Sequence, residues 1–205
     1  MVNFRDLITN KQRIVITGCR HAARFASIIA HVLEFNKKKF DLIKDGDVVR
    51  SSADAPIALI ISSEKLDSNG YAQFRNYSHH VGVITEIELT PESGYADEDE
   101  YIRQYDLFAD ATPKAGLLAY CELDQVASVL CNKERADVAY INYKPHSFVE
   151  ENGVKYLINS HKDKFKVTLQ HPQDLKWFGG AKELLKRLGI TSEQFYQAIP
   201  TCNPA

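Results

Sequence analysis

The sequence predicts an α/β domain with a mainly parallel sheet and helices on both of its faces. Short apolar runs alternate with segments of helical spacing over the first 141 residues, and this alternation is typical of such a sheet. Beyond residue 141 the pattern changes, and an Asn-Gly pair between alternating segments predicts a small antiparallel sheet within about 147–169. A chain of 205 residues fits one domain of this kind, so we expect a single domain over 1–205.

The strands of the parallel sheet are predicted from apolar, partly β-branched runs. Runs without a polar face are typical of central strands that are buried on both sides. Five runs have this character: 13–17, 56–61, 81–84, 116–120 and 138–141. We expect the first three to be neighbouring parallel strands.

Helices are predicted where apolar residues recur at helical spacing. One apolar stripe, over 25–33, directly follows the first strand. Asp97 and Glu100 have the spacing of a capping box, and a second stripe over 101–108 follows them. A short helix over 123–130 precedes the fifth strand.

The last third of the chain is predicted to be a hairpin followed by helices. Residues 147–149 and 154–158 form the hairpin, and 165–169 alternates as a third antiparallel strand. A helix over 181–188 is closed by a glycine. Thr191 with Gln194 predicts a capped final helix, and Pro200 ends it.

Composition excludes several classes of function. With 44% hydrophobic and 25% charged residues, the chain is typical of a soluble globular protein, and its net charge of −2 favours neither nucleic acid nor an acidic membrane as partner. The N-terminus has no apolar signal core and no run reaches membrane-spanning length. The four cysteines lack paired spacing and the seven histidines lack metal-ligand spacing. We therefore expect a cytoplasmic protein with reduced thiols and no metal.

The segment after the first strand has the layout of a phosphate-binding loop without its chemistry. An apolar strand runs into Gly18, and a helix follows at once. Such a loop needs a second glycine, a lysine for the phosphate charge and a hydroxyl for Mg²⁺. Those positions read His21, Ala22 and Ala23, and alanine supplies neither charge nor ligand. The alternative interpretation is an ordinary strand-to-helix turn.

The altered loop remains a speculative anion site, formed by Gly18, Cys19, Arg20, His21, Ala22, Ala23 and Arg24. A helix that starts near Arg20 would offer free N–H groups, and Arg20 and Arg24 would share a helical face. We expect weak binding of sulfate or phosphate, because the missing glycine restricts how closely the loop wraps. The alternative is that both arginines are solvated or paired with acids such as Glu64.

The order of several segments resembles the central, ATP-binding domain of the Mur ligases of peptidoglycan synthesis. The segments are 29–33, 39–41, 54–58, 80–85, 100–105, 113–118, 151–157 and 188–199. The resemblance runs from about residue 10 to about 200, and it is greatest to the ligase that joins UDP-N-acetylmuramate to a murein tripeptide, followed by the alanine-adding ligase. It implies a P-loop-like α/β fold and ATP- and Mg-dependent joining of a carboxylate to an amine. We expect the family's N- and C-terminal domains to be absent.

The motifs that carry the family's chemistry are degenerate here. The family has an acidic stretch after the second central strand, and 61–64 retains only Glu64. An Asp-His pair that serves metal and phosphate is replaced by Thr90-Pro91. A His-Asn stretch near the nucleotide corresponds approximately to 171–177. On this resemblance no catalytic residue and no metal ligand is assigned.

Three functions follow from these observations. The first is a bacterial pseudoenzyme, linked to peptidoglycan metabolism, that binds a protein partner or a small anionic ligand and uses no cofactor. The alternative is an ATP-dependent carboxylate–amine ligase of cell-wall synthesis or recycling, which uses ATP and Mg in an atypical site. The third is a homo-oligomeric scaffold. Loss of one charge-stabilising group typically costs about 10²–10³ in rate, so the joint loss of several favours the first function.

Overall fold

The computed structural model describes residues 4–204; residues 1–3 and 205 of the predicted domain, which include the start of the N-terminus examined for a signal, lie outside the described residues. Within this range the strands are β1 Gln12–Thr17, β2 Phe40–Lys44, β3 Asp47–Arg50, β4 Ile57–Ile61, β5 Val81–Ile84, β6 Leu117–Cys121, β7 Ala139–Tyr143, β8 Phe148–Glu151, β9 Val154–Ile158 and β10 Lys164–Lys166. The helices are α1 Phe4–Ile8, α2 Ala22–Phe35, α3 Glu98–Asp110, α4 Gln125–Cys131, α5 Asp174–Arg187 and α6 Ser192–Ala198. None of them is long and apolar enough to cross a membrane.

Seven strands form the main sheet in the order β3-β2-β4-β1-β5-β6-β7. All neighbours are parallel except β2 and β3, which form an antiparallel hairpin at one edge. β1 lies between β4 and β5, so the prediction that 13–17, 57–61 and 81–84 are neighbouring parallel strands is confirmed.

Each face of the main sheet carries its own core. Because side chains alternate along a strand, Ile14 and Ile16 of β1 face one core and Val15 faces the other. The first core is completed by α2, α5 and α6, and the second by α3 and α4. Large, fully buried rings such as Trp177 on α5 and Tyr105 on α3 fill them, and burying such a side chain stabilises the fold by about 1.5–3 kcal/mol. The predicted α/β architecture with helices on both faces is confirmed.

The small antiparallel sheet is also present, in the order β10-β9-β8. Asn152 and Gly153 join β8 to β9 with φ of 51° and 76°, the left-handed pair that a tight hairpin turn requires. The third strand spans only Lys164–Lys166, so the prediction of 165–169 was too long and too late.

Several predicted boundaries were wrong. α5 begins at Asp174 and not at 181, because Gly179 and Gly180 lower the helical signal of its first half. Both glycines have a packing reason: a Cβ on Gly179 would lie 2.0 Å from the carbonyl oxygen of Lys144, and one on Gly180 would lie 2.7 Å from the Phe25 ring. The absence of side chains lets α5 approach the sheet.

The helix caps also differ from the prediction. Asp97 caps α3 by accepting from the N–H of Asp99, and Glu100 instead accepts from the side chain of Gln104 at 2.5 Å, so no capping box forms there. The capping box of Thr191 and Gln194 is confirmed.

Smaller shifts occur at the other ends. α4 starts two residues later than predicted, at Gln125, and ends at Cys131. The fifth predicted strand, 138–141, corresponds to β7, which extends to Tyr143. α6 ends at Ala198, two residues before Pro200, which lies in the 3-10 turn Ile199–Thr201.

Candidate functional site

The loop between β1 and α2 keeps an unusual backbone. Gly18 has φ of 146°, and a Cβ there would lie 2.1 Å from Oγ1 of Thr85, so only glycine fits. The Thr85 hydroxyl lies 3.1 Å from the carbonyl oxygen of Thr17 and 3.0 Å from that of Arg20, and it donates to them. His21 stands at the N-cap of α2 with φ of 63°, a left-handed conformation that is rare outside glycine. Thr85, which directly follows β5, thus holds the loop in this conformation.

Some backbone N–H groups of the loop are already hydrogen-bonded within the protein. The Cys19 N–H donates to the carbonyl oxygen of Glu86 at 3.1 Å, so it does not point to a ligand. The first helical bond of α2 runs from the Phe25 N–H to the carbonyl oxygen of His21 at 2.8 Å. The N–H groups of the first turn precede this bond, as at any helix start, and they are the groups left for an anion.

The two arginines of the loop have different environments, contrary to the predicted shared helical face. Arg20 lies before the first turn of α2, and its half-exposed guanidinium is 3.5 Å from the carboxylate of Glu88. Arg24 lies in the first turn and is buried against Asp174, with 2.5 Å from Nε to Oδ1 and 3.2 Å from Nη2 to Oδ2. The structure pairs both arginines with acids, but neither acid is Glu64.

The Arg24–Asp174 pair joins the loop helix to α5. Asp174 is fully buried, and its Oδ2 also accepts from the backbone N–H groups of Gln170 and His171 at 2.8 and 3.0 Å. Burial alone would raise the pKa of Asp174, but the Arg24 guanidinium and these N–H groups lower it on balance. The guanidinium of Arg24 is therefore held by Asp174 inside the protein.

Glu64, the acid that the family resemblance singled out, is held by tyrosines. Its Oε2 accepts from the hydroxyls of Tyr101 at 2.6 Å and Tyr105 at 3.1 Å, and its backbone carbonyl accepts from Tyr95 at 2.7 Å. Burial and the adjacent Glu64 carboxylate raise the pKa of Tyr101. The carboxylate is thus a buried acceptor for two neutral hydroxyls.

Negative charge surrounds the loop. Burial raises the pKa of the Cys19 thiol to about 12, and the carboxylates of Glu86, Glu64 and Glu88 contribute to the rise. Burial also lowers the pKa of His21, so this ring carries no charge at neutral pH. The positive side chains nearby are Arg20, which is already paired, and Lys65.

One cavity of about 340 Å³ brings the separate sequence motifs together. Its lining consists of Gly18, Cys19, Arg20, Ser63, Glu64, Lys65 and Thr90. The loop, the retained acid and the Thr90 position thus meet at the carboxyl ends of the strands, where ligands of open α/β sheets bind. His21, Ala22, Ala23 and Arg24 lie outside this lining. Lys65 was missed, because its position next to Glu64 becomes meaningful only once the loop is seen to face it.

The fourth motif, 171–177, also packs against the loop. Asp174 pairs with Arg24, and the Trp177 ring lies 5.6 Å from the His21 ring, centroid to centroid. Four buried polar atoms in this part of the molecule have no hydrogen-bond partner among the described residues: Oγ1 of Thr17, Oε2 of Glu86, Oη of Tyr143 and Nε1 of Trp177. Between 4 and 204, no group of three or more His, Cys, Asp or Glu side chains is placed to hold a metal ion.

Solved structures share this overall fold. The UDP-N-acetylmuramate:L-alanyl-gamma-D-glutamyl-meso-diaminopimelate ligase from Neisseria meningitides matches with a TM-score of 0.80 at 13% identity over 98% of this chain and 69% of its own. MurC from Thermotoga maritima, a UDP-N-acetylmuramate-alanine ligase, matches with a TM-score of 0.73 at 14% identity over 98% and 48%. This chain has the fold of the Mur ligases.

The same fold extends to FPGS from L. casei, a mutant of which matches with a TM-score of 0.70 at 12% identity over 94% of this chain and 63% of its own. Neither a protein-family model nor a curated protein sequence matches the chain. At these identities the likeness establishes the Mur ligase fold alone, and the chain spans about half to two thirds of the length of these ligases.

Proposed function

We propose that this chain is a non-catalytic protein with the Mur ligase fold, which acts by binding a protein partner or a small anionic ligand and needs no cofactor. The observation that carries the proposal is the state of the β1–α2 loop. Ala22 and Ala23 supply no charge and no metal ligand there, Arg24 is engaged by Asp174, and the Cys19 N–H is engaged by Glu86.

The electrostatics of the loop support the same conclusion. A triphosphate in the 340 Å³ cavity would face the carboxylates of Glu64, Glu86 and Glu88, which add to the effect of burial in raising the pKa of Cys19 to about 12. Two like charges at about 4 Å repel by about 4 kcal/mol at the effective dielectric of a protein surface. Because Ala22 and Ala23 offer neither a cation nor a metal ligand to offset this repulsion, we expect ATP binding to be unfavourable.

Calorimetry with Mg-ATP and an assay for released phosphate test the proposal. We expect neither binding at millimolar nucleotide nor turnover. The matched variant carries His21→Gly, Ala22→Lys and Ala23→Thr together, which restores the loop residues that the family pattern requires. We expect it to bind Mg-ATP measurably and still not to hydrolyse it, because Glu64 remains tied to two tyrosines. Mg-dependent turnover by the unmodified protein, removed by changes within 18–24, would contradict the proposal.

A second function, an ATP-dependent carboxylate–amine ligase with an atypical site, is favoured by one observation. Lys65 and Arg20 line the same cavity as Glu64, so two cations border this cavity although the usual loop lysine is absent. If this function is the right one, Lys65→Ala abolishes nucleotide binding, whereas Lys38→Ala at a distant exposed site leaves it unchanged.

The biological setting is part of the same proposal. A role in bacterial peptidoglycan metabolism and a location in the cytoplasm are proposed from the likeness to ligases that carry UDP-N-acetylmuramate in their names. Light scattering over a range of protein concentrations tests whether the chain forms a homo-oligomer.

A further inference from the structure

The last strand of the main sheet, β7, has an open edge. The Ala139 N–H donates to Gly116 and the carbonyl of Tyr143 accepts from Glu122, so residues 139 and 143 direct their backbone groups toward β6. Because backbone direction alternates along a strand, the N–H and C=O groups of Tyr140 and Asn142 face away from the sheet. No hydrogen bond from another described residue satisfies these outward groups.

The β7 edge lacks the devices that usually protect a free strand. Its residues are Ala139, Tyr140, Ile141, Asn142 and Tyr143, and they include no charge and no proline. The opposite edge strand, β3, carries Asp47 and Arg50 and has an irregular register against β2. The two edge strands of the main sheet thus differ, because β3 has charged residues at its ends and a bulge, whereas β7 has neither.

A groove of about 940 Å³ runs along the β7 edge. Its far wall is one stripe of α5, whose members follow helical spacing: Gly179, Lys182, Glu183, Lys186 and Arg187. Together with Lys144, four basic side chains and one acidic side chain line the groove, in a chain whose net charge is −2. Lys186 pairs with Glu183 and Lys144 with Glu122, whereas Lys182 and Arg187 form no salt bridge with a described residue and leave the groove with an excess of positive charge.

We propose that the β7 edge binds an extended, acidic segment of a partner protein as an additional strand. The outward groups of Tyr140 and Asn142 supply the backbone pairing, and a five-residue strand of about 17 Å matches a segment of similar length. Every second side chain of such a segment faces the lysines and Arg187 of α5, so acidic residues at that spacing give specificity. A second copy of this chain is disfavoured as occupant, because two basic grooves repel each other.

The probe for this site is a labelled synthetic peptide of about eight residues in which glutamate and valine alternate. Fluorescence anisotropy measures its affinity, and ¹⁵N NMR locates it. We expect shifts centred on 139–143, slower hydrogen exchange at Tyr140 and Asn142, and affinity that falls as salt is added. The control peptide alternates lysine and valine. Equal affinity for both peptides, or shifts that avoid β7, would overturn the proposal.

Two pairs of variants sharpen the test. Asn142→Pro removes an outward N–H without touching the ladder to β6, so it should weaken binding about tenfold while Asn142→Ala leaves it unchanged. Lys186→Glu with Arg187→Glu should abolish binding, and Lys38→Glu with Lys39→Glu, which changes net charge equally on a distant exposed surface, should not. Equal affinities within either pair contradict the proposal, as does self-association that Asn142→Pro abolishes.

This inference rests on the proposed binding role, but different experimental results would disprove the inference and the proposed function. Mg-ATP turnover would remove the non-catalytic function and leave peptide binding at β7 unaffected. If the acidic peptide does not bind in the groove, the β7 site is disproved, but the proposal that the β1–α2 loop does not bind ATP is unaffected.

Discussion

Buried polar groups at the two ends of the central strands differ in their hydrogen bonding. At the amino end the backbone N–H of Arg13 donates to Nδ1 of His80 at 3.1 Å, and Nε2 of His79 lies 2.9 Å from the hydroxyl of Thr112. At the carboxyl end the buried side-chain atoms Oγ1 of Thr17 and Oε2 of Glu86 have no partner among the described residues.

The contrast is between buried polar groups whose hydrogen bonds stabilise the fold and buried polar groups that remain without partners at a cost in stability. A buried polar group without a partner typically costs about 1–3 kcal/mol, so a region optimised for stability alone pairs such groups. The amino end meets that criterion. The carboxyl end does not, although it also contains the strongest buried ion pair of the loop region, between Arg24 and Asp174. The carboxyl end, to which the proposed function assigns the missing ligase chemistry, thus retains buried polar atoms without partners among the described residues.

Among the variants that test this contrast, Arg24→Met is expected to lower the free energy of unfolding the most. The change leaves the fully buried carboxylate of Asp174 without its cation, and breaking such a pair typically destabilises a protein by about 3–5 kcal/mol. Urea unfolding measures the loss. The control is Arg20→Met, whose half-exposed pair with Glu88 should contribute less than about 1 kcal/mol.

A compensating variant distinguishes loss of charge pairing from loss of packing. In Arg24→Met with Asp174→Asn, the amide oxygen still accepts from Gln170 and His171, and no buried charge remains. We expect most of the stability to return. A double variant as unstable as Arg24→Met would show that the charge of Asp174 is irrelevant.

The second prediction concerns how stability depends on acidic pH through His79, at the amino end of the central strands. Burial lowers the pKa of His79 from 6.5 to about 4. Between these values the folded state binds fewer protons than the unfolded state, so the free energy of unfolding falls as the pH drops from 6.5 to 4. The loss from this group amounts to about 3 kcal/mol and is absent above pH 6.5.

The measurement is the free energy of unfolding in urea as a function of pH, for the natural sequence and for His79→Gln. Glutamine retains a donor toward Thr112 but does not titrate. The acid-dependent loss should be smaller by about 3 kcal/mol in the variant. Parallel pH profiles for the two proteins would refute the assignment to His79.

The smallest effect is expected at the speculative anion site. A phosphate titration followed by NMR should shift Gly18, Cys19 and the first turn of α2 only at millimolar concentration, because the nearby carboxylates oppose the anion. Arg20→Ala is the informative variant, since it removes an exposed cation without exposing Asp174. Shifts that survive this change, or that are absent at millimolar phosphate, would remove Arg20 from the site.

Much of the fold was predictable because its central strands are continuous apolar runs. β1, β4 and β5 are buried on both faces, and their sequences show it directly. The hairpin of β2 and β3 was missed, although Asp45 and Gly46 join them with φ of 47° and 89°, and an Asp-Gly pair is a known hairpin signal. β3 is short, largely exposed and charged at both ends, so its residues lack the apolar alternation that predicts a strand.

The proximity of the motifs was predictable, but their contacts were not. The family resemblance implied that the loop, Glu64 and Thr90 lie close together, and residues of all three line one cavity of about 340 Å³. That Asp174 neutralises Arg24 was not predictable, since the two residues are 150 positions apart and one sequence carries no information on such pairs. The tyrosine hydroxyls on Glu64 were missed for the same reason: Tyr101 was assigned only to a helical stripe.

The pairing of Arg24 with Asp174 also constrains how the chain folds as it is made. α2 completes its packing only when residues 150 or more positions later arrive, as the bond between His31 and the carbonyl of Ala198, 167 positions apart, shows again. At a synthesis rate of about 5–20 residues per second, the apolar face of α2 waits about 10–30 s on the ribosome for its cover. The apolar face of α2 therefore stays uncovered until α5 and α6 have been made, and contacts between residues this far apart in sequence are slow to form.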